Sequence, residues 1–186
     1  MQNIYDNENL VNTLKEGGVV VMPTDTIYGI LTSALLPNAV ERIYEIRERE
    51  KDKPCIILIS DFKDLEKFGV EILDNQKEEV LKEKDRALTF ILDCNNENFT
   101  YLHRGGESLA FRIPKNLDLR EFLAKTGPLI APSANKAGEK PASNIKQAEE
   151  YFGNLVDLYI DGGEIISLPS KIIKFEKDGT LNIIRE

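Results

Sequence analysis

The stretch GGVVVMPTDTIYG, from Gly17 to Gly29, decides how this chain begins to fold. Val19 to Met22 is an unbroken apolar run with the length of a buried strand, and a proline ends it. Thr24, Asp25 and Thr26 follow, so two hydroxyls and a carboxylate stand at the carboxyl end of a strand, where α/β proteins collect ligands. The alternative is a plain turn in which the side chains of Thr24 and Asp25 only satisfy backbone groups.

The rest of the chain alternates short apolar runs with amphipathic ones, which predicts an α/β fold. Lys171 to Phe175 and Thr180 to Ile184 are typical of strands, and Lys177-Asp178-Gly179 between them is a strong hairpin turn signal. A closing hairpin is antiparallel, so we expect a mixed sheet with flanking helices. Residues 1–186 should form one domain, because the length is that of a single domain and no repeat divides it. Neither GxxxxGK[ST] nor GxGxxG occurs, which excludes a P-loop and the usual Rossmann dinucleotide-binding interpretation.

Helix signals punctuate this pattern. Helices are predicted after Asp6-Asn7, after Pro37 and after Asn144, since these residue types favour a helix start. Asp61 to Lys84 is a charged amphipathic stretch that predicts two helices around Gly69. The remaining predicted elements are one helix, Leu117 to Lys125, and four strands, Cys55 to Ile59, Ala87 to Leu92, Ser108 to Ile113 and Leu129 to Ala131.

The composition excludes several classes of protein. Of the 186 residues, 41% are hydrophobic and 30% charged, which is too apolar for a disordered chain. No apolar run approaches the roughly 20 residues of a membrane helix, and the first residues do not form a secretory signal. Cys55 and Cys94 lie in apolar stretches, which indicates reduced thiols and a cytoplasmic protein without a membrane partner.

The charge is unevenly distributed along the chain. The 24 Lys and Arg residues against 32 Asp and Glu give a net charge of −8, which argues against a protein that coats nucleic acid. Residues 99–115 and 131–146 are nevertheless basic, each with three cations against one acid. These two basic segments predict local sites for a small anion such as the phosphates of a nucleotide, with solvated surface as the alternative.

Three further stretches have the residue types of an anion site. In IREREKDKPCIIL, from Ile46 on, Arg47, Arg49 and Lys53 can surround a polyphosphate only if the helix has ended by Arg49; otherwise they form a solvated helix end. In SLAFRIP, from Ser108 on, Arg112 is mid-strand and needs an anionic partner, either a substrate carboxylate or a structural Asp or Glu.

The third stretch, APSAN, combines short polar side chains with backbone N–H groups after a strand. Ser133 and Asn135 are suited to donate to a phosphate or a sugar there. His103 is the single histidine and lies in a predicted loop, where a catalytic role is the less favoured interpretation. CxxC and HExxH are absent from the sequence, so no protein-held metal is predicted.

Taken in order, PTDTIYG, the Arg-rich helix end with Lys-Pro, SLAFRIP, PSAN and DGG resemble the YrdC-like threonylcarbamoyl-adenylate synthase family from about Gly17 to Arg185. The resemblance implies a twisted α/β domain with one positively lined cavity. It implies that L-threonine, bicarbonate and ATP, with Mg²⁺ bound to the ATP, give threonylcarbamoyl-adenylate and pyrophosphate. Partner enzymes of tRNA modification would then accept the adenylate.

The resemblance also assigns residues. Arg47, Arg49 and Lys53 would be the catalytic residues that face the ATP phosphates. The residues implied for threonine are Thr26, Arg112, Ala131 and Ser170, and those for ATP, besides Arg49 and Lys53, are Ser108, Ser133, Asn135 and Arg185. Two alternatives stay open: a tRNA-binding or partner-docking module of the same fold, with weak tRNA contact, and a divergent transferase with another substrate.

Overall fold

The computed structural model describes residues 3–83, 86–176 and 180–186. Its α-helices are α1 (Glu8–Lys15), α2 (Pro37–Ile46), α3 (Asp74–Lys82), α4 (Thr100–His103), α5 (Leu117–Thr126) and α6 (Ile145–Phe152). Its strands are β1 (Val20–Pro23), β2 (Tyr28–Ser33), β3 (Ile56–Leu58), β4 (Leu88–Asp93), β5 (Ser108–Arg112), β6 (Leu129–Ile130), β7 (Leu158–Tyr159), β8 (Lys171–Phe175) and β9 (Leu181–Arg185). Short 3₁₀ helices span Phe62–Phe68, Glu97–Phe99 and Gly153–Leu155.

In the described residues the nine strands form one mixed sheet, in the order β7-β1-β2-β6-β3-β5-β4-β8-β9. The pairs β1–β7, β3–β5 and β4–β8 are parallel. The other neighbours, including β8 and β9, are antiparallel. The prediction of an α/β fold with a mixed sheet is therefore confirmed, while the predicted turn at Lys177-Asp178-Gly179 lies outside the described residues.

The sheet is covered on both faces at β1, which explains why Val19 to Met22 is an unbroken apolar run. Val19 and Val21 join one core cluster with residues of α2, and Val20 and Met22 join a second cluster with residues of α1 and α5. A strand that is buried on both faces needs no alternation of polar and apolar residues.

The predicted helix starts are found in the structure. The Asn7 side chain accepts a hydrogen bond from the Leu10 backbone at 3.1 Å, and Asn144 caps α6 in the same way. α2 begins at its proline, as expected from a residue whose φ already suits a helix. Around Gly69 the first of the two expected helices is a 3₁₀ helix, which Gly69 ends with a φ of +66°.

Two strands were not predicted, and one of them matters for the site. β2 has six consecutive buried residues and follows β1 after a loop of four, so β1 and β2 form a hairpin. The PTDT segment is therefore a hairpin loop rather than the free end of a lone strand. The second, β7, is two residues long. None of the described helices combines the length and the apolar character that a membrane crossing requires.

Candidate functional site

A cavity of about 380 Å³ lies on one face of the sheet, within the size range of small-molecule sites. The strand register places Ile56 of β3, Arg112 of β5, Ile172 of β8 and Arg185 of β9 on that face. Toward β7 the same face is buried under α1 and α5, so the cavity occupies the part that these helices leave uncovered. Its polar and charged lining residues are Thr24, Thr26, Arg49, Arg112, Ser133, Ser170 and Arg185.

The hairpin loop after β1 is ordered by its own hydroxyls. The Thr24 hydroxyl donates to the Ile27 carbonyl at 2.7 Å, while the backbone N–H of Thr24 donates to the same carbonyl at 3.0 Å. Thr24 thus satisfies backbone groups, as the turn alternative predicted. The Thr26 hydroxyl, 3.2 Å from that of Thr24, lines the cavity, as the ligand interpretation predicted. The turn alternative therefore holds for Thr24, while a ligand contact of Thr26 stays a prediction.

The APSAN segment continues the ladder of β2 and is thereby held against the PTDT loop. Ile30 donates its backbone N–H to the Pro132 carbonyl at 3.0 Å, and Ala134 donates to the Tyr28 carbonyl at 2.9 Å. Gly29 lies where the segments meet, and a Cβ there would stand 3.1 Å from Thr24 Cγ2. A larger residue would have to displace the ends of the Leu31 and Thr24 side chains, while the Pro132 carbonyl of the APSAN segment, at 3.5 Å, would be in ordinary contact.

Arg112 is buried in the cavity wall, with its charge partner behind it. Its Nη2 is 3.1 Å from Asp25 Oδ1, and each side chain is 5% exposed. The angle is not that of a hydrogen bond, so in the described residues the Arg112 Nε and both Asp25 oxygens lack hydrogen-bond partners. Burial lowers the pKa of Arg112, the charge of Asp25 opposes this, and Arg185 adds to the decrease. A structural carboxylate thus balances the charge of a guanidinium that lines the cavity.

Arg185 reaches the cavity because of a β-bulge. Ile173 faces Ile183, but the neighbouring Ile172 faces Arg185, so Ile184 is the extra residue. In a regular strand, positions 183 and 185 share a face; the bulge turns Arg185 to the opposite one. There its Nε and Nη2 donate to the Ser170 carbonyl at 3.0 and 2.7 Å. The Ser170 hydroxyl lies 2.8 Å from that of Thr89, which fixes it beneath the guanidinium.

The three cations after α2 are not brought together. The helix ends at Ile46, as convergence required. Arg49 lines the cavity and donates to the Lys53 and Pro54 carbonyls, both at 3.1 Å. Lys53 is exposed and pairs with Glu50 at 2.7 Å. Arg47 is 3% exposed and turns its guanidinium to the APSAN segment instead of the cavity.

Residues 12–186 match the protein family Sua5_yciO_yrdC, which carries the description "Telomere recombination". The chain belongs to the Sua5/YciO/YrdC family. A putative threonylcarbamoyl-AMP synthase of Methanocaldococcus jannaschii is 32% identical over 177 residues, covering 95% of this chain and 83% of that protein. The threonylcarbamoyl-AMP synthase of Pyrococcus abyssi is 34% identical over 163 residues, or 86% of this chain and 48% of that protein.

A crystal structure of the P. abyssi Sua5 protein complexed with L-threonine superposes with a TM-score of 0.81 at 30% identity. The match covers 92% of this chain and 50% of that one, so the chain spans about half the length of the P. abyssi relative. The fold predicted from the resemblance to YrdC-like proteins is confirmed by this membership in the Sua5/YciO/YrdC family.

In this Sua5/YciO/YrdC domain, several residues assigned by the resemblance meet at one cavity, and others do not. Those that line it are Thr26, Arg49, Arg112, Ala131, Ser133, Ser170 and Arg185. Ser108 is four residues before Arg112 in β5, roughly 13 Å away along a strand, and is not among the lining residues. Arg47, Lys53 and Asn135 also stay outside the lining, and for all four of these residues a ligand contact remains a prediction.

Some residues that line the cavity are not among those that the sequence motifs indicate. Cys55 and Pro141 contribute wall surface, although the sequence motifs gave no reason to single them out. Asp25 was noted as a loop carboxylate, but its pairing with Arg112 depends on the hairpin that was not predicted. In the part of the chain that the structure describes, no group of three or more His, Cys, Asp or Glu side chains is arranged to hold a metal.

Proposed function

We propose that this protein is an ATP-dependent threonylcarbamoyl-adenylate synthase that uses L-threonine and bicarbonate and releases pyrophosphate. The observation that carries the proposal is Arg112, a guanidinium in the cavity wall whose charge Asp25 balances, in the same lining as the hydroxyls of Thr24 and Thr26. Family membership, and the threonine bound to the P. abyssi Sua5 relative, support the same substrate.

Threonine would bind at the inner end of the cavity. A guanidinium forms two parallel hydrogen bonds with a carboxylate, and Arg112 has the donors for this. Asp25 lowers the cost of keeping that charge buried before the substrate arrives. Thr26 offers a hydroxyl in the same lining, and Ala131, whose N–H is used by the Ile56 carbonyl, offers its carbonyl.

The nucleotide would bind toward the rim. Arg49 and Arg185 line the cavity with their planes fixed by backbone carbonyls, which suits them to grip phosphate oxygens. Ser133 presents a hydroxyl from the APSAN segment. Three arginines and no carboxylate stand among the described lining residues, so the cavity favours polyanions.

The proposed reaction needs charge stabilisation more than proton transfer by a side chain. The threonine amine and bicarbonate combine to a carbamate with loss of water. A carbamate oxygen then forms a bond to the α-phosphorus of ATP, the bond from that phosphorus to the bridging oxygen breaks, and pyrophosphate leaves with the electron pair. Positioned cations and donors supply most of the catalysis of such a transfer. A single donor of this kind contributes about 3 to 4 kcal/mol.

We also propose that Mg²⁺ enters with the ATP. The described cavity lining has hydroxyls and guanidiniums but no carboxylate, so it fits a metal held by phosphates and water rather than by side chains. When bound, the ion would neutralise phosphate charge, while the arginines orient the nucleotide. Partner enzymes of tRNA modification, acting in the cytoplasm, would consume the adenylate.

Pyrophosphate release tests the proposed function directly. The purified protein is incubated with ATP, Mg²⁺ and bicarbonate, with and without L-threonine, and release is followed by a coupled assay and by mass spectrometry of the adenylate. We expect release that depends on both threonine and bicarbonate. L-Serine and L-valine serve as controls, since each lacks one of the groups on the threonine β-carbon.

Two outcomes contradict the proposal. Release that is independent of threonine indicates a transferase with another substrate. No release, together with tight and salt-sensitive tRNA binding, favours the RNA-binding alternative.

A further inference from the structure

Arg47 is buried behind the cavity and contacts the APSAN segment. Its Nε donates to the Asn135 carbonyl at 2.9 Å, and its Nη2 donates to the Ser133 hydroxyl and to Asn135 Oδ1, both at 3.3 Å. One guanidinium thus holds a backbone oxygen and two side-chain oxygens of the same loop. Only 3% of the residue is exposed to solvent.

The backbone around Arg47 is joined to the same loop. Ala137 donates its N–H to the Arg47 carbonyl at 2.8 Å, and Lys136 pairs with Glu48 at 2.7 Å. The Asn135 amide donates to the carbonyls of residues 136 and 139, at 2.8 and 2.9 Å. The Asn135 side chain is therefore occupied within the loop, which leaves Ser133 as the polar side chain that the loop presents to the cavity.

The charge of Arg47 has no acidic partner in the described part of the chain, where no carboxylate oxygen lies within 4 Å of it. Its Nη1 is also buried without a hydrogen-bond partner there. Burial, and to a smaller extent the charge of Arg49, lower the pKa of Arg47 to about 10. An unpaired buried cation is costly. Within the described residues, its three hydrogen bonds to the APSAN segment are what offset this cost.

We propose that Arg47 is a positioning residue, which fixes the loop 133–137 so that Ser133 faces the nucleotide, and that it does not itself contact the phosphates. The resemblance to the family implied instead that Arg47 faces the ATP phosphates. Lysine carries its donors on one nitrogen, whereas the contacts of Arg47 start from two nitrogens of a rigid plane. An arginine therefore holds the loop in a way that a lysine does not reproduce.

Hydrogen–deuterium exchange tests the positioning role without reference to activity. The test variant is Arg47→Lys, and the matched control is Arg49→Lys. The control makes the same substitution two residues away, in a side chain that contacts Lys53 and Pro54 instead of the loop. We expect peptides covering 132–139 to exchange at least about tenfold faster in Arg47→Lys, the effect of losing a hydrogen bond to a charged group. The control should leave them unchanged.

A double-mutant cycle tests whether Arg47 affects ATP binding through Ser133. This second experiment rests on the proposed function, because it assumes that the cavity binds ATP. ATP affinity is measured by calorimetry, without threonine, for Arg47→Lys, Ser133→Ala and the double variant, each confirmed as folded by circular dichroism. If Arg47 acts through Ser133, each single change weakens binding about tenfold and the double variant is no weaker than the worse single one.

The outcomes separate the two proposals. Unchanged exchange of 132–139 in Arg47→Lys overturns the positioning role even if the wild-type protein is fully active. Additive losses in the cycle, about a hundredfold in the double variant, show an independent phosphate contact and also overturn it. If the wild-type protein does not bind ATP, the proposed function fails, and the exchange experiment still decides the role of Arg47.

Discussion

Arg112 owes its place in the cavity to the alternation of β5. Leu109 and Phe111 point into the core on one face of the sheet, so Arg112 lies on the other face. Its cross-strand neighbours on that face are Leu58 of β3 and Thr89 of β4. The sequence placed it mid-strand and predicted an anionic partner if it faced a cavity, with a substrate carboxylate and a structural acid as alternatives. The structure supplies Asp25 as the structural acid, while Arg112 also lines the cavity, where a substrate carboxylate stays a prediction.

Replacing Arg112 by lysine should weaken threonine binding. A lysine at this position keeps the charge but loses the forked donors, so we expect a loss of about 1.5 to 3 kcal/mol, or roughly ten- to hundredfold in Kd, by calorimetry. Arg120→Lys is the matched control, because Arg120 is outside the cavity lining and donates to the Ser60 carbonyl. Wild-type affinity in Arg112→Lys would show that threonine binds elsewhere.

At the scale of elements, the 3₁₀ helix Phe62–Phe68 is locked to the end of β3 by one carboxylate. Asp64 accepts hydrogen bonds from the Ser60 N–H at 2.8 Å, the Ser60 hydroxyl at 2.6 Å and Lys67 Nζ at 2.7 Å. Burial raises the pKa of Asp64, but the hydrogen bonds from Lys67 and Ser60 outweigh it, so the pKa is below its ordinary value of 3.8. The folded state therefore favours the ionised form.

Asp64→Asn should reduce stability at neutral pH and flatten its acid dependence. A lowered folded-state pKa contributes stability that is present above about pH 4 and is lost as the pH falls through the folded value. We expect a loss of about 1 to 3 kcal/mol at pH 7 and a smaller difference from wild type at pH 3, by urea unfolding.

The exposed pair Asp74–Lys77 offers the control for that experiment. It has the same i, i+3 spacing as Asp64–Lys67, but the Asp74 side chain is 95% exposed. Asp74→Asn should change stability by less than about 0.5 kcal/mol, as exposed ion pairs usually do. An equal loss in both variants would mean that burial and the Ser60 hydrogen bonds contribute nothing.

At the scale of the whole molecule, the fold neutralises much of the two basic segments. Arg104, from residues 99–115, pairs with Glu41 at 2.6 Å, and Arg112 from the same segment pairs with Asp25. From residues 131–146, Lys136 pairs with Glu48. These acids come from elsewhere in the chain, so a charge count along the sequence overstates the positive surface.

We therefore expect weak tRNA binding. With a net charge of −8 and paired cations, the Kd for bulk tRNA at 150 mM salt should be weaker than about 10 µM in filter binding, within the range of non-specific contact. The same protein at low salt serves as the control, since residual binding should strengthen there. Submicromolar binding at 150 mM salt would contradict this expectation and favour the RNA-binding alternative.

The sequence determined most of the elements and the segments of the site, since both are local. Asn7, Pro37 and Asn144 act on the residues next to them, and the apolar runs mark strands wherever these pair. The motifs PTDT, SLAFRIP and PSAN likewise indicated hydroxyls, a guanidinium and a loop as candidates for ligand contact. β2 was not predicted because its sequence, YGILTS, has neither an unbroken apolar run nor an alternation of polar and apolar residues, although all six residues are buried.

Only the tertiary structure decided which of those groups share the cavity. The bulge at Ile184 turns Arg185 to the cavity face, although its spacing from Ile183 alone would put both on the other side. Arg47 and Arg49 are two residues apart, yet one fixes a loop and the other lines the cavity. Where a side chain points depends on register and on partners distant in the chain, and local sequence does not encode either.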